Sequence, residues 1–438
     1  MLGKFLRIAA MLVAVCILLC GCSFVGGDTD SLLSPPRPSG ELYNIQQALN
    51  SYVSEKYTLK YPVSGDYRSA IINKDLNSDG TDEAVAFYST VKDGAVTMHI
   101  LLIEKNEEKW AVSGEFKCVA TGVESVQFKD MDADGKMEIL VGWSVYGNLE
   151  KTLGVYSIQK GSFLQRISES YNDFVCSDLT GDGKSEIFLV NLDSKESAAV
   201  AKLISLTDNG TQLLGSVPLD PSITAYSSPV VSRLPNGNTA VYVDAIKGAG
   251  VITEVLEIKN GGMVNALVNE NLEMADTFRS SAAAVRDIDA DGVCEIPMMT
   301  LITQAPDSND NVYRTDWCVI EGGNLKAKMS AFMNYGDGYF VQIPEKWEGK
   351  VTVIRDTANR IRTILKIDEA TGNSGEVLVK IQALPVTENS APDAAAIPGA
   401  AEIGRTGELY YLASCTGQGG EQAVTFEEFR NYFKILGK

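Results

Sequence analysis

Residues 75–87 read DLNSDGTDEAVAF, and the string returns as DMDADGKMEILVG at 130–142, DLTGDGKSEIFLV at 178–190 and DIDADGVCEIPMM at 287–299. Acids or amides stand at positions 1, 3 and 5, glycine at 6 and glutamate at 9, with β-branched or apolar runs behind them. The one departure is Thr180, at position 3 of the third string. Successive first aspartates are 55, 48 and 109 residues apart, so the last gap hides a repeat. It is found at 232–243, SRLPNGNTAVYV, which keeps Gly237 and the β-rich run but has lost every acid.

A period near 50 residues fits about four short strands, the pattern of propeller blades rather than of helical solenoids. Around the first turn YRSAII, EAVAFYST, VTMHILLIE and KWAVSGEF all read as strands by their β-branched and aromatic content. The expected fold is therefore mainly β: a β-propeller of about five recognisable blades over 67–334, followed by a small α+β domain over 335–438. In the latter, YFVQIPEKW, KVTVIRD, RIRTILKID, GEVLVKIQAL and ELYYLASC read as strands and TFEEFRNYFKIL as a closing helix with a capping box at Thr425 and Glu428. Ala391 to Ala401 reads as a long loop or weak helix.

Closely spaced oxygen ligands repel one another unless a cation sits between them. A hard ion that accepts six to eight oxygens at about 2.3–2.6 Å suits them, which points to Ca²⁺. The glycine at position 6 allows the reversal at φ > 0, and the acid at position 9 closes the shell. An EF-hand begins the same way but needs a bidentate glutamate at position 12, where this chain has Ala86, Val141, Leu189 and Met298. A strand-flanked calcium hairpin is expected instead; solvated Asp/Gly turns are the plainer alternative.

On these strings and their spacing the repeats resemble the FG-GAP or VCBS type of integrin-α-like β-propellers, in which such loops bind Ca²⁺. The resemblance implies ligands at Asp75, Asn77, Asp79 and Glu83; Asp130, Asp132, Asp134 and Glu138; Asp178, Asp182 and Glu186; and Asp287, Asp289, Asp291 and Glu295. It thus implies three strong sites and a weaker one at the third turn, with nothing bound at the turn from Ser232. The FG and GAP strings themselves are not evident.

The 57 acidic residues against 38 Lys and Arg give a formal charge of −19, which argues against nucleic acid as a partner. His99 is the sole histidine and lies in a strand, so His-rich metal sites are excluded and His99 reads as structural. Trp110, Trp143, Trp317 and Trp347 read as packing residues, with a glycan-stacking platform as the lesser alternative.

Residues 1–21 carry Lys4 and Arg7, then an uncharged apolar run over 8–19 that is too short for a mature span. Leu19-Cys20-Gly21-Cys22 resembles a lipobox, which makes Cys22 the expected lipidated first residue of a bacterial lipoprotein. Cleavage there takes two cationic residues and no acid, leaving −21. Residues 22–40 read as a flexible tether, and 41–66 as a short amphipathic helix on Leu42, Ile45, Leu49 and Val53 with a lead-in. Cys118, Cys176, Cys294, Cys318 and Cys415 are widely spread, with no CxxC, and read as buried thiols; a Cys294–Cys318 pair is left open.

Two functions follow. The first is a membrane-anchored, calcium-stabilised propeller facing outside the cytoplasm that binds a protein or glycan without catalysis. The alternative is an envelope hydrolase or lyase acting on glycan or phosphoester at the propeller mouth. No G-x-S-x-G, P-loop or H-E-x-x-H string occurs, and no catalytic residue is assigned.

Overall fold

The computed structural model describes residues 40–437, apart from 108, 146–150, 194–195, 208–209, 303–310, 369–373 and 387–396. The expected signal, Cys22 and all of the tether but Gly40 lie outside these residues, as does most of the Ala/Pro-rich segment. The chain is mainly β, with helices α1 (Glu41–Tyr52) and α2 (Phe426–Tyr432). No helix among the described residues is long and apolar enough to cross a membrane.

The repeat is an antiparallel meander. Its period-2 alternation and tight turns leave consecutive strands no cheaper pairing than with one another. In the first sheet, Tyr57–Leu59 and Ile71–Lys74 both pair with Glu83–Lys92, which is followed by Ala95–Asn106 and Lys109–Cys118. The second orders Gly122–Lys129, Glu138–Ser144, Lys151–Gln159 and Ser162–Tyr171, and the third Asp173–Ser177, Glu186–Asp193, Ala198–Thr207 and Gly210–Pro218. In the fourth, Ala225–Tyr226 and Val230–Arg233 share the strand Thr239–Lys247, then come Gly250–Lys259 and Gly262–Asn265. The fifth runs Ile296–Leu301, Tyr313–Glu321, Asn324–Asn334 and Tyr339–Gln342. In the first four repeats the strand after the turn opens on an apolar run buried on both faces, as Ala84–Tyr88 and Ile187–Val190 are, whereas Ile296–Leu301 of the fifth is exposed at its far end.

One compact unit contains the first sheet and α1, which lays the buried Ile45 and Leu49 against Tyr88, Leu101, Ile103 and Trp110. Leu42, expected on that face, is 42% exposed. The other unit contains residues 120–157 and 164–438. Within it a sixth sheet orders Val351–Asp356, Ile361–Ile367, Ser374–Pro385, Leu409–Cys415 and Ala401–Arg405. Its core includes Trp347, Val379, Tyr411 and Phe429 and takes in Phe332 and Tyr339 of the fifth sheet.

Two details of the expected tail differ. Tyr339–Gln342 belongs to the fifth sheet, and Glu345–Trp347 is a 3₁₀ turn that buries Trp347. The closing helix ends at Tyr432, because Phe433–Ile435 turns into a strand on the free edge of Tyr339–Gln342 and satisfies backbone groups that a longer helix would leave unpaired. Thr425 does cap α2, accepting from the Glu428 amide at 3.2 Å.

Candidate functional site

Each acidic turn closes a hairpin between the first two strands of its repeat. Lys74 faces Glu83, Lys129 faces Glu138 and Ser177 faces Glu186 in antiparallel register, and Arg286 bridges to Glu295. Position 9 is thus where the second strand begins. Its carboxylate turns back into the loop, accepting from the position-2 amide: Leu76 to Glu83 at 2.9 Å, Met131 to Glu138 at 3.0 Å, Leu179 to Glu186 at 2.9 Å and Ile288 to Glu295 at 3.0 Å. The position-6 amides of Gly80, Gly135, Gly183 and Gly292 donate to Oδ2 of Asp75, Asp130, Asp178 and Asp287.

The position-6 glycines have φ of 86–88°. Position 4 is left-handed too, at Ser78 (61°), Ala133 (60°), Gly181 (78°) and Ala290 (62°). Alanine and serine rarely adopt this conformation, so its recurrence reflects the loop's bonding rather than local preference. Sequence reading missed both this and the apolar position 2, where Leu76, Met131 and Leu179 are buried anchors.

The electrostatics of these turns are unbalanced. Glu83, Glu138, Glu186 and Glu295 are nearly or fully buried, and burial pushes all four carboxyls up. Ligand oxygens of Asp130, Asp132 and Glu138 lie within 4.8 Å of one another, as do those of Asp287, Asp289 and Asp291. Asp75 Oδ1 and Asp132 Oδ1 are buried with no hydrogen-bond partner. An orphaned, buried carboxylate oxygen facing other oxygens is what a hard cation would satisfy: the second turn has both features and fits a divalent metal, and the first has the orphaned oxygen alone.

The third turn is more self-contained. Both Asp178 oxygens accept backbone amides, and Thr180 Oγ1 donates to Glu186 Oε1 at 3.2 Å. The fourth differs again, because the Lys328 ammonium lies against Asp289, Asp291 and Glu295. In the acid-free turn the Asn236 and Asn238 amides donate to Glu257 Oε1 at 2.9 and 2.6 Å.

A second constellation stands at the opposite end of the fourth sheet, where Thr239–Lys247, leaving the turn at Asn238, reaches its far end. Glu254 is 2% exposed; its Oε1 accepts from the Asp220 amide at 2.9 Å, and its Oε2 has no partner. Burial raises its carboxyl. Beside it, Asp220 accepts from Lys247 at 2.6 Å and from Ser222, bonds that outweigh its partial burial and bring the carboxyl down to about 2. The Tyr226 phenol, also buried without a partner, is raised by burial and then by the charges of Glu254 and Asp220. Two adjacent carboxyls driven in opposite directions are the mark of an acid and its ionised partner.

The remaining expected residues are structural in position. His99 is 2% exposed, stacks on Tyr88 at 4.3 Å between centroids, and bonds Thr90 and Glu115 at 2.9 Å on either side. All four tryptophans are buried at 9% exposure or less. Cys294 and Cys318 are both free thiols, so the pair left open does not form.

No protein-family model and no curated protein matches the sequence. Among solved structures the chain is similar to an exotype rhamnogalacturonan lyase at 14% identity, covering 72% of this chain and 66% of that one with a TM-score of 0.30. It is also similar to a Bacillus licheniformis rhamnogalacturonan lyase (11%, 70% and 75%, 0.29) and to an exo-β-1,3-galactanase from Phanerochaete chrysosporium (9%, 75% and 79%, 0.27). Scores this low transfer no activity to this chain. These proteins are enzymes by name. The Glu254–Asp220 cluster is a carboxylate constellation outside the acidic turns. The names of these neighbours run against the expected non-catalytic module and toward the hydrolase or lyase alternative.

Proposed function

We propose that the protein is an extracytoplasmic enzyme that cleaves glycosidic bonds, built on a Ca²⁺-stabilised β-propeller of the FG-GAP or VCBS kind and held at the bacterial cell membrane by lipid on Cys22. The observation that carries the catalytic reading is Glu254 Oε2, a buried carboxyl oxygen without a partner, set beside an aspartate held ionised by Lys247. Glycosidic cleavage needs this division of labour between two carboxyls. Burial favours the neutral Glu254 carboxyl, which would give its proton to the leaving oxygen as the bond to the anomeric carbon breaks, once the cover over this 2%-exposed residue opens to admit the glycan. Asp220 supports the positive charge that develops there or deprotonates the water whose oxygen joins that carbon, and Lys247 holds Asp220 in place.

The metal half of the reading rests on the turns. Asp75, Asn77, Asp79 and Glu83, and Asp130, Asp132, Asp134 and Glu138, would each hold one Ca²⁺; Asp178, Asp182 and Glu186 would hold another more weakly. The ion neutralises carboxylates that the fold has buried. The turn from Ser232 binds none, its Glu257 being satisfied by Asn236 and Asn238.

The test is turnover on a panel of plant and bacterial polysaccharides by the full chain in millimolar Ca²⁺, with Glu254→Gln alongside. A general acid contributes roughly 10²–10⁴-fold, so Glu254→Gln should lose that factor in kcat while keeping its fold and bound metal. Absence of glycan cleavage by the wild type, or full activity in Glu254→Gln, would overturn the proposal.

A further inference from the structure

We infer that the fourth acidic turn, Asp287–Glu295, takes no metal, because Lys328 supplies its cation from within the chain. By residue type this turn is as complete as the second, with aspartates at positions 1, 3 and 5 and glutamate at 9. Yet the Lys328 Nζ, on the strand Asn324–Asn334 of the same sheet, lies 2.8 Å from Asp289, 2.6 Å from Asp291 and 2.8 Å from Glu295. These are the side chains of positions 3, 5 and 9, three of the four that a divalent ion would use. An ammonium at that point donates to all three and excludes an ion by charge and by volume.

No other acidic turn has this arrangement among the described residues. In the second turn, Glu138 Oε1 accepts instead from Ser157 at 3.0 Å, and the one lysine in contact, exposed Lys136, reaches Asp134 alone at 3.3 Å. Buried carboxylate oxygens remain unpartnered in the first and second turns, and none does in the fourth.

The consequence extends to the neighbouring sheet. Cys294, at position 8 of the fourth turn, donates its amide to Ser232 Oγ at 3.0 Å, and Ser232 donates to the Gly292 carbonyl at 3.2 Å. Arg233 and Val293 form a parallel bridge. The two turns that carry their own counter-groups, Lys328 for one and the Asn236–Asn238 amides for the other, are therefore docked on each other. This junction holds without an external ion, while the first two turns leave a buried carboxylate oxygen without a partner.

This inference rests on the proposed Ca²⁺ loading of the other turns only for its contrast with them. The test is equilibrium dialysis of the metal-stripped full chain against CaCl₂ with elemental analysis, for wild type, Lys328→Met and Asp291→Asn. Lys328→Met should bind one more Ca²⁺ per chain than wild type and should melt several degrees lower in chelator, a loss that Ca²⁺ restores. Asp291→Asn should leave the wild-type count unchanged, and this holds the inference to account even if Lys328→Met does not fold. An unchanged count in folded Lys328→Met, or one ion lost in Asp291→Asn, overturns it. A wild type that binds nothing while Lys328→Met binds one ion would refute the Ca²⁺ reading of the other turns and support this one.

Discussion

Asp132→Ala separates a metal-held hairpin from an ordinary hydrogen-bonded one by reversing sign with the ion. Asp132 Oδ1 is buried without a partner, and ligand oxygens of Asp130, Asp132 and Glu138 lie within 4.8 Å of one another. Two like charges at that distance repel by about 3 kcal/mol at an effective dielectric near 20, less where water screens them. Without an ion, deleting Asp132 relieves part of this repulsion. With one, the balance changes: a site with a dissociation constant near 10⁻⁴ M stabilises the native state by about 2.7 kcal/mol at 10 mM Ca²⁺. At roughly 2–4 °C per kcal/mol for a chain of this class, losing that term lowers the melting temperature by about 5–10 °C. Calorimetry of wild type and variant in 10 mM Ca²⁺ and again in chelator reads both signs. The variant should melt lower with the ion and level with, or above, the wild type without it. Equal destabilisation in both buffers would refute the reasoning, because it would mean that Asp132 acts through hydrogen bonds alone.

Three further outcomes follow from other parts of the molecule. Arg279, fully buried, pairs with Asp244 at 2.7 Å and also bonds Thr253 Oγ1, so Arg279→Met should cost about 3–5 kcal/mol in chemical denaturation by stranding Asp244; a loss under 1 kcal/mol would show the pair to be dispensable. Burial pushes the thiols of Cys118 and Cys176 up to about 12 and those of Cys318 and Cys415 up to about 11, so native protein at pH 8 should resist iodoacetamide until unfolded, read by mass spectrometry. For the proposed reaction, Glu254 must be protonated and Asp220 ionised. Turnover should therefore fall as pH rises through the raised Glu254 value, and again below about 2, the lowered Asp220 value. Lys247→Met should move the acid limb upward, and the basic limb upward by less, in the pH dependence of kcat.

The hairpins were legible because their chemistry is local. Positions 1, 3, 5, 6 and 9 fall within nine residues, and the spacing of those strings exposed even the acid-free repeat at Ser232. What decides their occupancy was not local: Lys328 is 33 residues from Glu295 and reaches it by strand pairing, a distance that no turn motif encodes. Glu254 was hidden for a related reason. In GVITEVLEIK it is one of two acids in a largely apolar run, and only the fold brings Asp220, Lys247 and Tyr226 to it. The signal was nonetheless present, since a carboxylate inside a strand buried on both faces demands a partner or a purpose. The last residues misled in the other direction. Phe426, Phe429, Phe433 and Leu436 keep helical spacing, but the open edge of Tyr339–Gln342 captures Phe433–Ile435 as a strand.

The most direct measurement is the number of Ca²⁺ ions retained by the full chain at saturation, by elemental analysis after dialysis. Three per chain, at the turns beginning at Asp75, Asp130 and Asp178, is the count this account expects, with the last released first on dilution. None at all would contradict it, and the buried oxygens of Asp75 and Asp132 would then need another explanation.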